Sequence, residues 1–124
     1  MALRALGILG EKVDAFTTRV INACNYLKLK KCPKDIIDQL RRSGTSIGAN
    51  CSEAIGAQSK ADFLAKLHIA RKEALETTYW IDVIYRNQCI NESTYTSFKA
   101  DCDEICKLLT SITISTRKNL EAAN

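Results

Sequence analysis

The chain has 124 residues, of which 46% are hydrophobic and 26% charged, and its formal net charge is +4. This length fits one domain that can bury a core without disulfides or metals, and this composition excludes an intrinsically disordered chain. With a single proline, Pro33, the chain has too few turn residues for a β-sandwich, so the composition favours a helical fold.

The sequence predicts neither a membrane segment nor a secretory signal. The opening letters, MALRALGILG, are interrupted by Arg4 and followed at once by Glu11 and Lys12, and no apolar run approaches transmembrane length. We therefore expect a cytoplasmic protein without membrane contact. Its cysteines are expected to be reduced and mostly packed as small hydrophobic side chains: Cys24, Cys32, Cys51, Cys89, Cys102 and Cys106.

The first predicted helix spans residues 8–31. Its apolar residues recur at steps of three and four, which is the period of one helix face: Leu9, Val13, Phe16, Val20, Cys24 and Leu27. Lysines at its end suit the negative pole of the helix dipole, and Pro33 suits the first turn of the next helix.

The second predicted helix, residues 33–57, has an unusual outer face. Its core stripe comprises Ile36, Leu40, Ile47, Cys51 and Ala54. A phosphate-binding loop is disfavoured because no strand precedes Gly48 and no Lys-Ser or Lys-Thr follows it. Each helical glycine costs about 1 kcal/mol relative to alanine. The segment carries three of them, Gly44, Gly48 and Gly56, and almost no charge. We therefore expect its outer face to be covered, by another subunit.

The third predicted helix, residues 60–87, begins with a capping box formed by Ser59 and Asp62. Its core stripe comprises Phe63, Leu67, Ala70, Ala74, Ile81 and Tyr85, with Thr77 nearby. Ile69 and Trp80 lie away from that stripe, which favours a subunit interface; the alternative is that Trp80 packs within its own bundle.

The fourth predicted helix spans residues 92–120. Its apolar residues again follow the helical period: Tyr95, Phe98, Cys102, Ile105, Leu109 and Ile112. Four apolar stripes joined by short connections predict an all-α fold, a single domain over residues 1–124 forming an up-down-up-down antiparallel four-helix bundle.

The chain offers little for catalysis or metal binding. Its only histidine, His68, lies off the core stripe and lacks a glutamate three residues before it. Cys102 and Cys106 stand one turn apart, but no further local ligands accompany them, so we expect them to be structural. We predict no catalytic residue, no metal and no cofactor.

The charged and polar residues define two candidate surfaces. Asn50 and Glu53 lie one turn apart, and we expect Glu53 to need a cation from Arg41, Arg42, Arg71 or Lys72. The full predicted interface or polar network comprises Gln39, Ser43, Ser46, Asn50, Glu53, Ile69, Glu73, Glu76 and Trp80. The candidate nucleic-acid-binding residues, which otherwise form an ordinary solvated face, are Lys28, Lys30, Lys31, Lys34, Arg41 and Arg42.

Residues 39–84 resemble a family of four-helix-bundle proteins encoded in intervening sequences of bacterial 23S ribosomal RNA genes. That family reads Gln-Leu-Arg-Arg-Ser, then Ser-Ile-x-x-Asn-Ile-x-Glu-Gly, then Ile-Ala. The matching positions here are Gln39 to Ser43, Ser46, Ile47, Asn50, Glu53, Ile69 and Ala70. Cys51 and Ala54 depart from the pattern, where the family has isoleucine and glycine.

The resemblance implies a ring-like homo-oligomer, commonly a pentamer, and no catalytic activity. It also implies kinship with the accessory variability protein of diversity-generating retroelements, which binds nucleic acid and a reverse transcriptase. We therefore expect a non-enzymatic adaptor that binds RNA or DNA through basic patches repeated around the oligomer. The alternative is a protein–protein assembly scaffold without nucleic-acid affinity.

Overall fold

The computed structural model describes residues 3–123. After a short 3-10 turn, Arg4–Leu6, four helices follow: α1 Gly7–Leu29, α2 Lys34–Ile55, α3 Lys60–Arg86 and α4 Glu92–Ala123. Each helix packs on the next, and α4 packs back on α1. The all-α four-helix bundle is therefore confirmed, and each helix boundary lies within three residues of its predicted position.

The core lies between the helices, where the predicted stripes meet. All six apolar residues predicted for α1 are buried, and Phe16 of α1 meets Phe98 of α4 with ring centroids 5.5 Å apart. Ser59 caps α3 as predicted, because its hydroxyl accepts a hydrogen bond from the Asp62 N–H at 3.1 Å. The Asp62 carboxylate accepts from the Gln58 N–H at 3.3 Å rather than from the Ser59 N–H, so the reciprocal bond of a capping box is replaced.

The edges of the other stripes differ from the prediction. In α2, Ile37 is buried and Ile36 only half-buried; in α3, Ile84 is buried in place of Tyr85. The terminal members Phe63, Tyr95 and Ile112 are also only half-buried. These residues lie toward the helix ends, where fewer neighbouring helices remain to cover them.

Two glycines of α2 are covered by the chain itself. A Cβ at Gly44 would lie 2.7 Å from Val20 Cγ1 of α1, and one at Gly48 would lie 3.2 Å from Thr17 Oγ1. Helix α1 therefore needs these small residues in order to approach α2. The expectation that another subunit covers this face is wrong for Gly44 and Gly48, while Gly56 at the helix end is exposed.

Ser43 also departs from its predicted place in the outer polar network. Its side chain is fully buried inside the bundle, where its hydroxyl accepts a hydrogen bond from Thr77 Oγ1 at 3.0 Å. A hydroxyl pair of this kind satisfies both polar groups, so α2 and α3 can pack closely at this level. Among residues 3–123, none of the helices is long and apolar enough to cross a membrane.

Candidate nucleic-acid interface

One end of the bundle is built from two similar helix endings. In an up-down-up-down bundle the α1–α2 and α3–α4 connections meet at the same end. Lys31 (φ 61°) follows α1 and Gln88 (φ 64°) follows α3. Each is succeeded by a cysteine whose N–H bonds back to the helix, Cys32 to Leu27 O at 3.1 Å and Cys89 to Ile84 O at 2.9 Å. This is the Schellman pattern, and it fixes the course of both turns.

An open groove of about 780 Å³ lies between these two turns. We call it the end groove. Both connections contribute to its walls, as does the last turn of α1. Its lining comprises Tyr26, Lys30, Lys31, Cys32, Pro33, Tyr85, Arg86, Asn87, Gln88, Cys89, Ile90, Asn91 and Glu92.

Basic side chains dominate the charge of the end groove. Lys30, Lys31 and Arg86 of the lining are exposed, as is Lys28 in the last turn of α1, and within residues 3–123 no carboxylate lies within 4.0 Å of their charged nitrogens. Glu92 is the single acidic residue of the lining. Three lining cations against one lining carboxylate make this end attractive to anions.

An exposed aromatic ring accompanies these cations. Tyr26 is 48% exposed, and the Lys30 ammonium lies 5.5 Å from the centre of its ring. Tyr85 also lines the groove, but its ring is stacked on Tyr95 with centroids 4.0 Å apart. Tyr26 is therefore the ring that remains open to a ligand beside the cations.

The remaining predicted nucleic-acid-binding residues have partners inside the chain. Lys34 pairs with Asp38 at 2.7 Å, one turn along α2. Arg41 donates a hydrogen bond to Asn25 Oδ1 at 3.4 Å. Arg42 forms ion pairs with Glu73, at 3.1 Å, and with Glu76. The predicted basic patch thus divides into free lysines at the end groove and paired residues along α2.

Arg42 organises a second polar surface, which follows the exposed boundary between α2 and α3. Besides its two ion pairs, Arg42 Nε donates to Gln39 Oε1 at 3.1 Å, and Trp80 Nε1 donates to Glu76 Oε2 at 2.9 Å. Further along, Lys66 pairs with Glu53 at 3.3 Å. We call this row the α2–α3 seam: Gln39, Arg42, Glu53, Lys66, Ile69, Glu73, Glu76 and Trp80.

The seam brings together most of the predicted interface residues, with two differences. The Glu53 side chain is 59% exposed, and its partner is Lys66, which was not among the four cations expected. Asn50 does not bond to Glu53; its amide donates to Ser46 O at 2.8 Å within the helix. The Ser46 hydroxyl in turn donates to Arg42 O at 2.6 Å. Both side chains therefore donate their hydrogen bonds to backbone oxygens of α2 itself.

The side chains considered for catalysis and metal binding contact other groups of the bundle. His68 Nε2 lies 2.8 Å from Arg117 Nη2, and Cys102 is fully buried with its sulfur 3.4 Å from Ala74 O. In residues 3–123, no group of three or more His, Cys, Asp or Glu residues is arranged to hold a metal ion.

Sequence reasoning missed Arg86 and Tyr26 as members of the basic end. Both lie in segments that read as helix ends, and neither belongs to the lysine cluster in sequence. The predicted topology nevertheless indicates where Arg86 lies, because it places the α3–α4 connection beside the α1–α2 connection.

Comparison with known proteins places this all-helical bundle in a family. The 23S rRNA-intervening sequence protein family matches residues 9–111, and the chain belongs to this family. A solved structure from Bacteroides thetaiotaomicron, described as a protein of unknown function from the S23 ribosomal protein family, is 42% identical. The match covers 91% of this chain and 98% of that chain, with a TM-score of 0.82. No curated protein sequence matches the chain.

Proposed function

We propose that this protein is a non-enzymatic, homo-oligomeric helical bundle that binds RNA and acts as an adaptor. The observation that carries the proposal is the end groove, where Lys30, Lys31 and Arg86 are exposed without carboxylate partners, with Lys28 exposed in the last turn of α1. Cations of this kind bind phosphates by releasing counterions, and each subunit of an oligomer repeats them. RNA and a protein such as a reverse transcriptase are the partners we propose, the latter from the family resemblance alone.

The geometry favours recognition of the backbone together with an unpaired base. Tyr26 offers one ring on which a base can stack beside the lysines, and stacking of this kind tolerates any sequence. The helices described for residues 3–123 do not form a helix-turn-helix motif that would place side chains on base edges in a major groove. We therefore expect single-stranded RNA to bind more tightly than a duplex, without strong sequence preference.

Fluorescence anisotropy of labelled single-stranded and duplex RNA tests the proposal. Binding should weaken steeply between 50 and 200 mM salt, by about tenfold or more, because the release of counterions from several phosphates is less favourable at higher salt. Lys30→Glu with Lys31→Glu should weaken binding by more than about tenfold. Lys107→Glu with Lys118→Glu is the matched control: both lysines are exposed on α4, and the charge change is equal.

The two double variants distinguish RNA binding at the end groove from RNA binding that follows the net charge of the protein. Equal loss in both double variants would assign binding to net charge alone and would contradict a specific surface. No binding by the unaltered protein would overturn the proposal. Arg42 is a poor choice for this test, because its replacement also removes the ion pairs of the α2–α3 seam.

A second function, an assembly scaffold without RNA affinity, is favoured by a separate observation. The outer side of α3 exposes apolar side chains, with Tyr79 54%, Leu75 48% and Ile69 41% exposed. Exposed aromatic side chains of this kind are enriched at protein interfaces. Light scattering on the anisotropy samples distinguishes the two functions: a defined oligomer that binds no RNA would favour the scaffold.

A further inference from the structure

Two cysteines from distant parts of the chain meet at the floor of the end groove. Cys32 Sγ and Cys89 Sγ are 3.0 Å apart, although 57 positions separate the residues in sequence. Each occupies the same place in its own turn, directly after the residue with positive φ. The backbone hydrogen bonds of both turns hold the two sulfurs in position. Their proximity is thus a property of the fold rather than of a loose loop.

The two thiols differ in access to solvent. Cys89 is half-buried and lines the end groove, whereas Cys32 is only 7% exposed. Burial, followed by the hydrogen bond that the Cys32 thiol shares with Cys89, raises the pKa of the Cys32 thiol to about 12. Below both sulfurs lies a further cavity of about 80 Å³, walled by Ile36, Val83 and Ile84, which leaves room for the sulfurs to shift.

We propose that Cys32 and Cys89 form a reversible thiol–disulfide pair that is oxidised by small-molecule disulfides entering the end groove. The Cys89 thiolate attacks a disulfide RSSR, forming a Cys89–S–S–R bond and releasing RS⁻, which takes up a proton. Cys32 then loses its proton and attacks Cys89 Sγ, forming the Cys32–Cys89 bond and expelling the second RS⁻. The two cysteines are oxidised, and RSSR is reduced to two RSH.

The bridge would join the α1–α2 turn to the α3–α4 turn. Lys31 lies in the first of these turns and Arg86 directly precedes the second, so the bridge would fix the spacing of the backbone segments that carry them. The remaining buried cysteines have no comparable route to solvent; Cys24, Cys51 and Cys102 are at most 1% exposed. The pair does not depend on RNA binding, and its test uses no RNA.

The reduced full chain is equilibrated with mixtures of glutathione and glutathione disulfide, then alkylated in denaturant and weighed by mass spectrometry. We expect a species with four alkylated cysteines in place of six and no bound glutathione, and peptide mapping should join the segments holding Cys32 and Cys89. The bridged form should melt at least about 5 °C higher than the reduced form, because the bridge restricts the unfolded chain.

Three variants control the assignment. Cys32→Ser and Cys89→Ser should each abolish the four-alkyl species, and Cys32→Ser should retain glutathione on Cys89. Cys106→Ser replaces another half-buried cysteine and should leave the bridge intact. Six alkylated cysteines at every glutathione ratio, or a bridge that maps elsewhere, would overturn the proposal. So would a Cys89–glutathione adduct that never resolves in the unaltered chain. Peptide mapping of the unaltered chain tests the Cys32–Cys89 bridge directly, even if a variant does not fold.

Discussion

Asp82 is the residue whose protonation is most closely tied to a neighbouring helix. Its Oδ1 accepts hydrogen bonds from Tyr95 Oη at 2.7 Å and Lys99 Nζ at 2.8 Å, both on α4. Burial alone raises the pKa of Asp82, but these bonds and the Lys99 charge outweigh burial, so the pKa lies below its ordinary value. The hydrogen bond to Asp82, followed by that to Tyr95, raises the pKa of Lys99.

The two shifts determine how the pair's contribution to folding depends on pH. Because the folded pKa of Asp82 is lower than the unfolded one, its contribution is complete above the unfolded pKa of about 3.9. That contribution is lost as the pH falls through the folded pKa. The contribution of Lys99 is complete below its unfolded pKa of about 10.4 and is lost as the pH rises through the folded pKa. The pair therefore stabilises the bundle across the neutral range.

Asp82→Asn should lower the free energy of unfolding by about 0.5–1 kcal/mol at pH 7, a modest value because both side chains are about one-third exposed. The difference from the unaltered protein should shrink as the pH falls below about 4, where Asp82 becomes protonated. Urea unfolding at a series of pH values measures this. Glu11→Gln, an exposed change on α1, is the control, and an Asp82→Asn deficit that stays constant with pH would contradict the prediction.

At the scale of the helices, the contact of α1 with α2 depends on Gly44. A Cβ there would lie 2.7 and 2.8 Å from the two γ carbons of Val20. We expect Gly44→Ala to lower the free energy of unfolding by about 1–2 kcal/mol, since crowding outweighs the gain of about 1 kcal/mol in helix propensity. Thermal and urea unfolding followed by circular dichroism measure the change.

A double-mutant cycle shows whether Val20 is the cause. Val20→Ala removes the crowding atoms, so the double variant should be more stable than the sum of the two single changes predicts. Gly56→Ala is the matched control, because a Cβ there has only Glu53 O near it, at 3.8 Å, and should be tolerated. Strict additivity of Gly44→Ala and Val20→Ala would rule out this contact as the origin of the effect.

The helices themselves were predictable because apolar periodicity and capping residues act locally. In α1 every predicted core residue is buried, since apolar side chains mark most of the buried face. In α2 the buried face also includes Ser43 and Gly44, which a hydrophobic pattern does not mark. Small residues are buried there because they let α1 and α3 come close, and that closeness is a property of three helices rather than one.

The candidate site was predictable only in part for a related reason. Lys28, Lys30 and Lys31 cluster in sequence and stay free in the structure, whereas Arg42 is neutralised by Glu73 and Glu76 of α3. Which cations remain free depends on contacts between helices, and sequence spacing does not specify these. The meeting of Cys32 with Cys89 follows from two matching turns and was likewise not visible in either segment alone.

At the scale of the whole molecule, the end groove and the exposed apolar residues of α3 lie on different parts of the surface. The end groove holds Lys30, Lys31 and Arg86, while Ile69 and Tyr79 expose apolar area on the flank of the bundle. Tyr79 packs edge-on against Trp80 with centroids 5.0 Å apart. If subunits associate through this flank, their end grooves remain open, so assembly and RNA binding should be separable.

Ile69→Glu tests this separation. It places a charge in the apolar flank without touching the core, because Ile69 is 41% exposed. We expect light scattering to show a fall from a multiple of 13.8 kDa to the monomer mass, with unchanged helicity. RNA binding per subunit should persist but lose avidity, since one chain presents a single groove. Ile8→Glu makes the same change at a position of α1 that is 63% exposed, and it should leave the mass unaltered. If the Ile69→Glu variant remains an oligomer, the subunit contact does not lie at the α2–α3 seam.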